Sequence, residues 1–329
     1  MRAFEYASPK GKQQVVGLLG KQWGDAEVLA GGTDLLALMK DDVVTPKRLV
    51  NIKDVAELRG VSYVAARGLR LGALTTLAEI ADNATVRARY PVLADAAYEA
   101  ASPQIRNLAT IGGNMCQRPR CWYFRNNIAM KTADGKAAAI EGDNRYHAIL
   151  GNEQAQFVSP STIAPVLIGY GAQIRLFGGA GARELPLEKF FRVPPMMGDR
   201  EHDLKPDEIV TEIIVPPPPP GTRAAHYEVR QKAAFDWPYA TAAAVVQMQG
   251  GKVQAARIVL SQVAPVPWLS QEAADAIVGK EINEQTADAA GAAAVAGARP
   301  LSHNAYKVKL ARVAVKRALL AAAKGEAPA

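Results

Sequence analysis

The sequence predicts an α+β chain: two mixed lobes, then a smaller C-terminal domain of a three-stranded sheet plus helices. Three observations carry this. Strand-like alternation and helix-like periodicity interchange from the first residues onward. A proline run, Val215-Pro216-Pro217-Pro218-Pro219-Pro220-Gly221, interrupts the 329-residue chain. Beyond it, three alternating stretches precede three helical ones. Such a run can continue neither a helix nor the middle of a sheet, so it reads as a stiff connection. The expected division is a first lobe over 1–55, a second over 56–215 with an inserted loop at about 117–147, a linker at 216–221 and a C-terminal domain over 222–329.

Taken in order, a short strand around Phe4–Tyr6 precedes Ser8-Pro9, read as an N-cap with proline at the first helical position, and Val15, Val16, Leu18 and Leu19 give the helix its apolar face. A strand at 27–30, a helix from about Thr33 to Lys40 and a strand at 48–52 complete a small α/β lobe. The second lobe opens with alternation at Leu69–Ala73, and Thr75-Thr76 caps a short helix carrying Leu77 and Ile80. Pro91 starts an alanine-rich helix through Ala101. From Gln117 to about His147 no period is sustained, and Trp122, Tyr123 and Phe124 lie among Arg118, Arg120 and Arg125. This reads as an inserted surface loop, either packed on its own domain or offered to a partner. A helix at 164–168 and a strand at 173–177 follow. Past the prolines, strands are expected at 224–232, 241–249 and 252–263, with Gly250-Gly251 as a hairpin turn. Helices are expected at 270–278, 284–296 and 305–323, the last presenting Val308, Leu310, Val313, Val315, Leu319 and Leu320.

Composition narrows the class. A hydrophobic content of 49% with 22% charged residues is that of a globular protein. The formal charge of +7 is dispersed, with no dense basic run, which disfavours nucleic acid as a partner. The two cysteines, Cys116 and Cys121, build no disulfide framework. No apolar stretch is long enough to span a membrane and the first residues lack an apolar signal core. The expected location is cytoplasmic, with periplasmic export only alongside a signal-bearing partner.

The chemistry concentrates in two glycine turns. In Val28-Leu29-Ala30-Gly31-Gly32-Thr33-Asp34-Leu35-Leu36 an apolar strand ends in two glycines at the start of a helix, so main-chain N–H groups converge on one point. Thr110-Ile111-Gly112-Gly113-Asn114 repeats the theme. Neither is a dinucleotide fingerprint or a nucleotide-binding P-loop, and each alone is satisfied by a tight strand-to-helix connection. Together they suit a diphosphate, because glycine reaches positive φ and lets an anion approach the main chain. His147, His202, His226 and His303 are scattered and read as surface or locally bonded residues. No metal site and no catalytic acid, base or nucleophile emerges, as expected for a chain whose reactivity belongs to a cofactor.

With the A-G-G-T-D-L-L element, the block Gln104–Asn114, the Ser159-Pro160-Ser161 stretch and the strand pair beginning Ala256-Arg257-Ile258-Val259-Leu260, the whole chain resembles the FAD-binding medium subunits of the xanthine dehydrogenase and carbon monoxide dehydrogenase family of molybdenum hydroxylases. The resemblance implies two lobes gripping non-covalent FAD, with its pyrophosphate against both glycine turns. It implies Ala30, Gly31, Gly32, Thr33, Asp34, Leu35, Leu36, Thr110, Gly112, Gly113, Asn114, Gln117 and Thr162 as cofactor-binding residues. It also implies two partners: a large subunit with the molybdenum cofactor and a small subunit with two [2Fe–2S] clusters, which feed the flavin for delivery to an external acceptor.

Gln117-Arg118-Pro119-Arg120-Cys121-Trp122-Tyr123-Phe124 is similar to the flavin subunits of bacterial aldehyde oxidoreductases, whose next loop holds a [4Fe–4S] cluster. Here only Cys121 stands at a comparable position and Asn126–Ile140 contains no cysteine, so the cluster is expected to be absent. Further departures are Ser161-Thr162 in place of the family's Ser-Asp, and Tyr227-Glu228-Val229 where a lysine often stands. Two other classes stand beside this reading. One is a self-sufficient two-lobed flavin oxidase or reductase, against which the lack of any His or Cys tether before Met115 speaks. The other is a scaffold subunit without cofactor, against which the intact glycines speak.

Overall fold

The computed structural model describes residues 1–128, 137–194, 199–232 and 236–325. The first lobe alternates β1 (Glu5–Ala7), α1 (Lys12–Leu18), β2 (Ala26–Leu29), α2 (Leu35–Lys40) and β3 (Arg48–Asn51), giving a parallel sheet in the order β1-β3-β2. Val15, Ala26, Val50, Ile52, Val55 and Leu58 form its core. Helix α1 starts later than its Ser8-Pro9 signal suggests. The Ser8 hydroxyl is engaged by the Asn51 amide at 3.1 Å, and the orphan amide of Lys12 donates instead to the distant Glu57 carboxylate at 2.8 Å. A cap supplied from another part of the chain displaces the local one.

The second lobe is an antiparallel sheet of β4 (Val61–Val64), β5 (Gly68–Gly72), β6 (Gln173–Gly178), β7 (Gly181–Pro186) and β8 (Glu208–Val215), in the order β4-β5-β8-β6-β7. Between β5 and β6 run α3 (Leu77–Asp82), α4 (Ala84–Arg89), α5 (Pro91–Glu99), α6 (Pro103–Arg106), α7 (Ile111–Cys116), α8 (Trp122–Arg125), α9 (Ala138–Glu141) and α10 (Ala164–Gly169); α11 (Leu187–Phe190) follows β7. Thr76 caps α3 in a reciprocal capping box with Glu79. Leu69, Leu71, Ile80, Leu93, Ile111, Leu167, Ile174 and Ile213 belong to one continuous core.

The C-terminal domain pairs β9 (Thr222–Val229), β10 (Ala240–Gln249), β11 (Lys252–Ser261) and β12 (Trp268–Leu269) antiparallel, in the order β12-β11-β10-β9, against α12 (Gln271–Ile277), α13 (Glu284–Ala294) and α14 (Tyr306–Lys324). The sheet thus has a fourth strand beyond the expected three. Two residues of β12, facing Val259 and Leu260, are too few to leave an alternation in the sequence. Gly250 and Gly251 turn the hairpin with φ of 57° and 80°. The buried stripe of α14 also differs from the expected one: it comprises Lys307, Ala311, Ala314, Val315, Ala318, Leu319 and Ala322. Small alanines face the sheet at helical spacing, and Val308, Leu310 and Leu320 are only partly buried beside them.

Candidate functional site

Both glycine turns open onto one cleft of about 390 Å³. Ala30, Gly31, Gly32, Thr33, Asp34 and Leu35 line one wall; Thr110, Gly112, Gly113, Asn114 and Gln117 line the other, with Thr162 between. Leu36 lies outside the walls, 38% exposed, its side chain against Gly32.

The glycines do different jobs. A Cβ on Gly31 would stand 1.9 Å from the Leu108 carbonyl oxygen, so this residue lets the segment before the second turn press against the first. Gly32 holds φ at +76°, which turns the chain out of β2 toward α2. Among the described residues the amides of Gly31, Gly32, Thr33 and Asp34 have no hydrogen-bond partner. The second turn is more self-contained than the sequence suggests. Ile111 and Gly112 donate to the carbonyls of Thr75 and Ala73, both at 2.9 Å, and Gly113 donates to the Thr110 hydroxyl at 3.1 Å. Asn114 donates to the Thr110 carbonyl at 2.8 Å. This wall therefore contributes mainly side chains. Ser161 donates to Asn114 Oδ1 at 2.6 Å and accepts from the Ala164 amide, which fixes Asn114 and starts α10.

Asp34 occupies the N-cap position of α2 without capping it. Its carboxylate instead accepts from the Arg118 amide at 2.9 Å and pairs with Arg120 and Arg125, each at 2.8 Å. Arg118 makes a buried two-pronged pair with Glu201 at 2.6 and 2.9 Å, and Arg200 pairs with Glu27 while lying over Trp23. Arg120 lies over Trp237, and its buried Nε has no partner among the described residues. The arginines of the inserted loop thus turn inward onto the first lobe, their own lobe and the segment at Trp237. Cys121 Sγ lies 3.2 Å from His147 Nε2, with Trp122 edge-on to the same imidazole. The expected cysteine-free stretch Asn126–Ile140 falls partly on 129–136, outside the described residues.

Burial pushes the Cys116 thiol in the cleft wall up to about 12, and pushes His202, stacked on Phe190, down to about 4. His147, His202 and His226 are buried rather than superficial. Arg200, Trp237, Glu228 and Arg230 line the cleft without having been singled out as site residues. They come from distant segments, and only the departure noted at Tyr227-Glu228-Val229 hinted at one of them.

A two-lobed cleft presenting unpaired main-chain amides, followed by a separate α+β domain, is the architecture of flavoprotein subunits, and the chain belongs to the FAD-binding subunits of molybdenum hydroxylases. Residues 2–218 match the family model described as the FAD binding domain in molybdopterin dehydrogenase, and residues 225–322 match the CO dehydrogenase flavoprotein C-terminal domain. The chain is 33% identical to the aldehyde oxidoreductase FAD-binding subunit PaoB of Escherichia coli, over 95% of this chain and 96% of that one. It is 32% identical to the carbon monoxide dehydrogenase medium chain of Hydrogenophaga pseudoflava, over 97% and 96%. A solved carbon monoxide dehydrogenase from Hydrogenophaga pseudoflava, lacking the Mo-pyranopterin moiety, superimposes with a TM-score of 0.78 at 31% identity, over 98% of both chains. The chain is an oxidoreductase subunit. No helix among the described residues is long and apolar enough to cross a membrane.

Proposed function

We propose that this chain carries FAD as the electron-transfer subunit of a heteromeric molybdenum hydroxylase of aldehyde oxidoreductase or xanthine dehydrogenase type. Its electrons come from the two [2Fe–2S] clusters of a small partner subunit, substrate is oxidised on a large subunit holding the molybdenum cofactor, and an external acceptor takes the electrons away. The observation that carries the reading is the row of unpaired amides from Gly31 to Asp34 in the wall of the cleft. Backbone N–H groups without partners are costly unless a ligand or water takes them, and a diphosphate is the ligand they suit.

FAD supplies the redox chemistry when bound, since it accepts electrons singly and releases them in pairs. The protein's own part is to hold it. The first-turn amides, and the Arg120 Nε that has no partner among the described residues, would meet the anionic centre, while Asp34, Glu201 and Glu27 already neutralise the neighbouring guanidiniums. Ala30, Leu35, Thr110, Gly112, Gly113, Asn114, Gln117 and Thr162 complete the contact surface, and Leu36 supports Gly32 from outside. The chain itself holds no [4Fe–4S] cluster, because it has two cysteines, with Cys116 on α7 and Cys121 engaged with His147.

Cofactor analysis of the natively purified complex tests this. One FAD per chain, released on denaturation, is expected, with molybdenum and iron on the partner polypeptides and no iron on the isolated subunit. A colourless chain that cannot be reconstituted with FAD would falsify the reading, and about four irons per flavin on this subunit alone would overturn the missing cluster.

A further inference from the structure

One end of the cleft is closed by a group of titratable side chains that the cofactor-holding role leaves unused. His226 and Glu228 on β9, and Arg230 just beyond it, stand two residues apart, so strand alternation turns all three to one face. That face meets the end of α5 at Glu99. His226 Nε2 lies 3.1 Å from Glu99 Oε2, and the nearest polar atoms of Glu99, His226 and Glu228 all fall within 4.8 Å of one another. Arg230 pairs with both carboxylates. Exposure is graded: the His226 side chain is fully buried, that of Glu228 is 3% exposed and that of Glu99 37%. Glu228 and Glu99 both line the cleft. Glu228 Oε1 and His226 Nδ1 have no partner among the described residues.

The groups facing His226 are Glu99 and Asp95 from α5, and Glu228 and Arg230 from its own side; Arg87 of α4 reaches Asp95. Burial pushes the Glu228 carboxyl up, so it holds its proton more tightly than an ordinary glutamate. Burial acts the same way on Glu99, but the hydrogen bond to His226 and the charges of His226 and Arg230 bring its carboxyl below the usual range. Two neighbouring acids are thus pushed in opposite directions, Glu228 toward keeping a proton and Glu99 toward giving it up, an arrangement suited to passing a proton. A divalent cation is the less suitable occupant, because Arg230 already brings positive charge to both carboxylates.

We propose that Glu99, His226 and Glu228 form a proton conduit from solvent into the cleft, with Glu228 as its inner donor and Arg230 as the residue that positions it. The proposal rests on FAD being the cofactor. Two electrons delivered one at a time by the partner's iron–sulfur donor would add negative charge within a cleft whose charged side chains already pair with one another, and a proton must follow. Glu228 would release its proton into the cleft toward the reduced cofactor and be reprotonated through His226 and Glu99 from bulk water. Two electrons and one proton enter in all, and reoxidation by the acceptor reverses the flow.

The test uses the purified complex in weakly buffered solution with a pH-indicator dye. Reduced methyl viologen, which carries electrons but no protons, is the reductant, and FAD content is measured first. In the native complex, proton uptake keeps pace with bleaching of the flavin absorbance. In Glu228→Gln and in His226→Gln, FAD content is retained but proton uptake lags at least tenfold, whereas Glu228→Asp restores it. Unchanged uptake in both glutamine variants overturns the conduit. So does loss of FAD from Glu228→Gln, which would make Glu228 a cofactor-holding residue, and so does a tightly bound divalent ion abolished by that substitution. A native complex without FAD would instead refute the cofactor reading itself.

Discussion

Gly31→Ala is the sharpest probe of how the cleft is built. The added methyl would sit 1.9 Å from the Leu108 oxygen, 2.7 Å from its carbonyl carbon and 3.2 Å from the Ala109 nitrogen, all of them main chain. No rotamer can relieve such a clash, so the two segments must part by about 1.5 Å, and overpacking of this kind costs about 1–3 kcal/mol. Those segments carry the two turns of the cleft, so the penalty falls on cofactor affinity: FAD binding should weaken by about 5- to 150-fold. The assay is quenching of FAD fluorescence on titration into deflavinated protein, with the melting temperature measured alongside. Gly17→Ala is the control, because a Cβ there meets nothing within 4 Å in the exposed last turn of α1, and it should bind FAD normally and leave stability unchanged or gain less than about 1 kcal/mol. Full FAD affinity and an unchanged melting temperature in Gly31→Ala would refute the claim that contact between the turns shapes the site.

Other consequences are open to measurement. Asp34→Asn removes the charge shared by Arg120 and Arg125; with Asp34 keeping 16% exposure, the loss should be on the order of 2 kcal/mol, below that for a fully buried pair. It should appear as faster tryptic cleavage between Arg118 and Arg125. Lys307→Met should lower stability by about 2 kcal/mol or more in urea unfolding, because the Lys307 ammonium donates to the carbonyls of Tyr146, His147 and Gln262; His147 keeps the Asn304 amide, but the other two are left without a partner among the described residues. Acid should destabilise the chain through its buried histidines. Burial pushes His202 and His147 from 6.5 down to about 4, so both are neutral when folded. Between pH 6.5 and 4 the unfolded chain binds more protons, and stability falls with pH by about 3 kcal/mol per histidine. Urea unfolding across that range should show a shallower slope in His202→Phe than in the native chain.

What could be read from the sequence was whatever is local. The glycine turns, the Thr76 cap, the proline run and the Gly250-Gly251 hairpin announce themselves because neighbouring residues impose them. β8 leaves no readable pattern: Glu208–Val215 is a central strand buried on nearly every residue, so its alternation is faint. Its partners β5 and β6 are separated in the chain by most of the second lobe. The buried stripe of α14 departs from its bulkiest residues because small alanines let the helix sit close to the sheet. Within the site, the first wall was legible as glycines, but the reason for Gly31 was not. Its neighbour Leu108 is remote in sequence, and a clash between backbones leaves no pattern to find.

Asp34 shows why the inserted loop and the cleft cannot be treated as separate parts. Its position before α2 marks it as a helix cap, yet its carboxylate is spent on Arg118, Arg120 and Arg125 of the loop. The four groups hold one another. The loop's guanidiniums stabilise the carboxylate, and the carboxylate keeps Arg120 over Trp237 with its Nε facing no protein acceptor among the described residues. A charge introduced into the cleft therefore meets cations whose geometry is already set, so the binding energy is not consumed in ordering them. The same linkage gives the loop a structural role: its arginines, drawn inward, become part of the cleft wall.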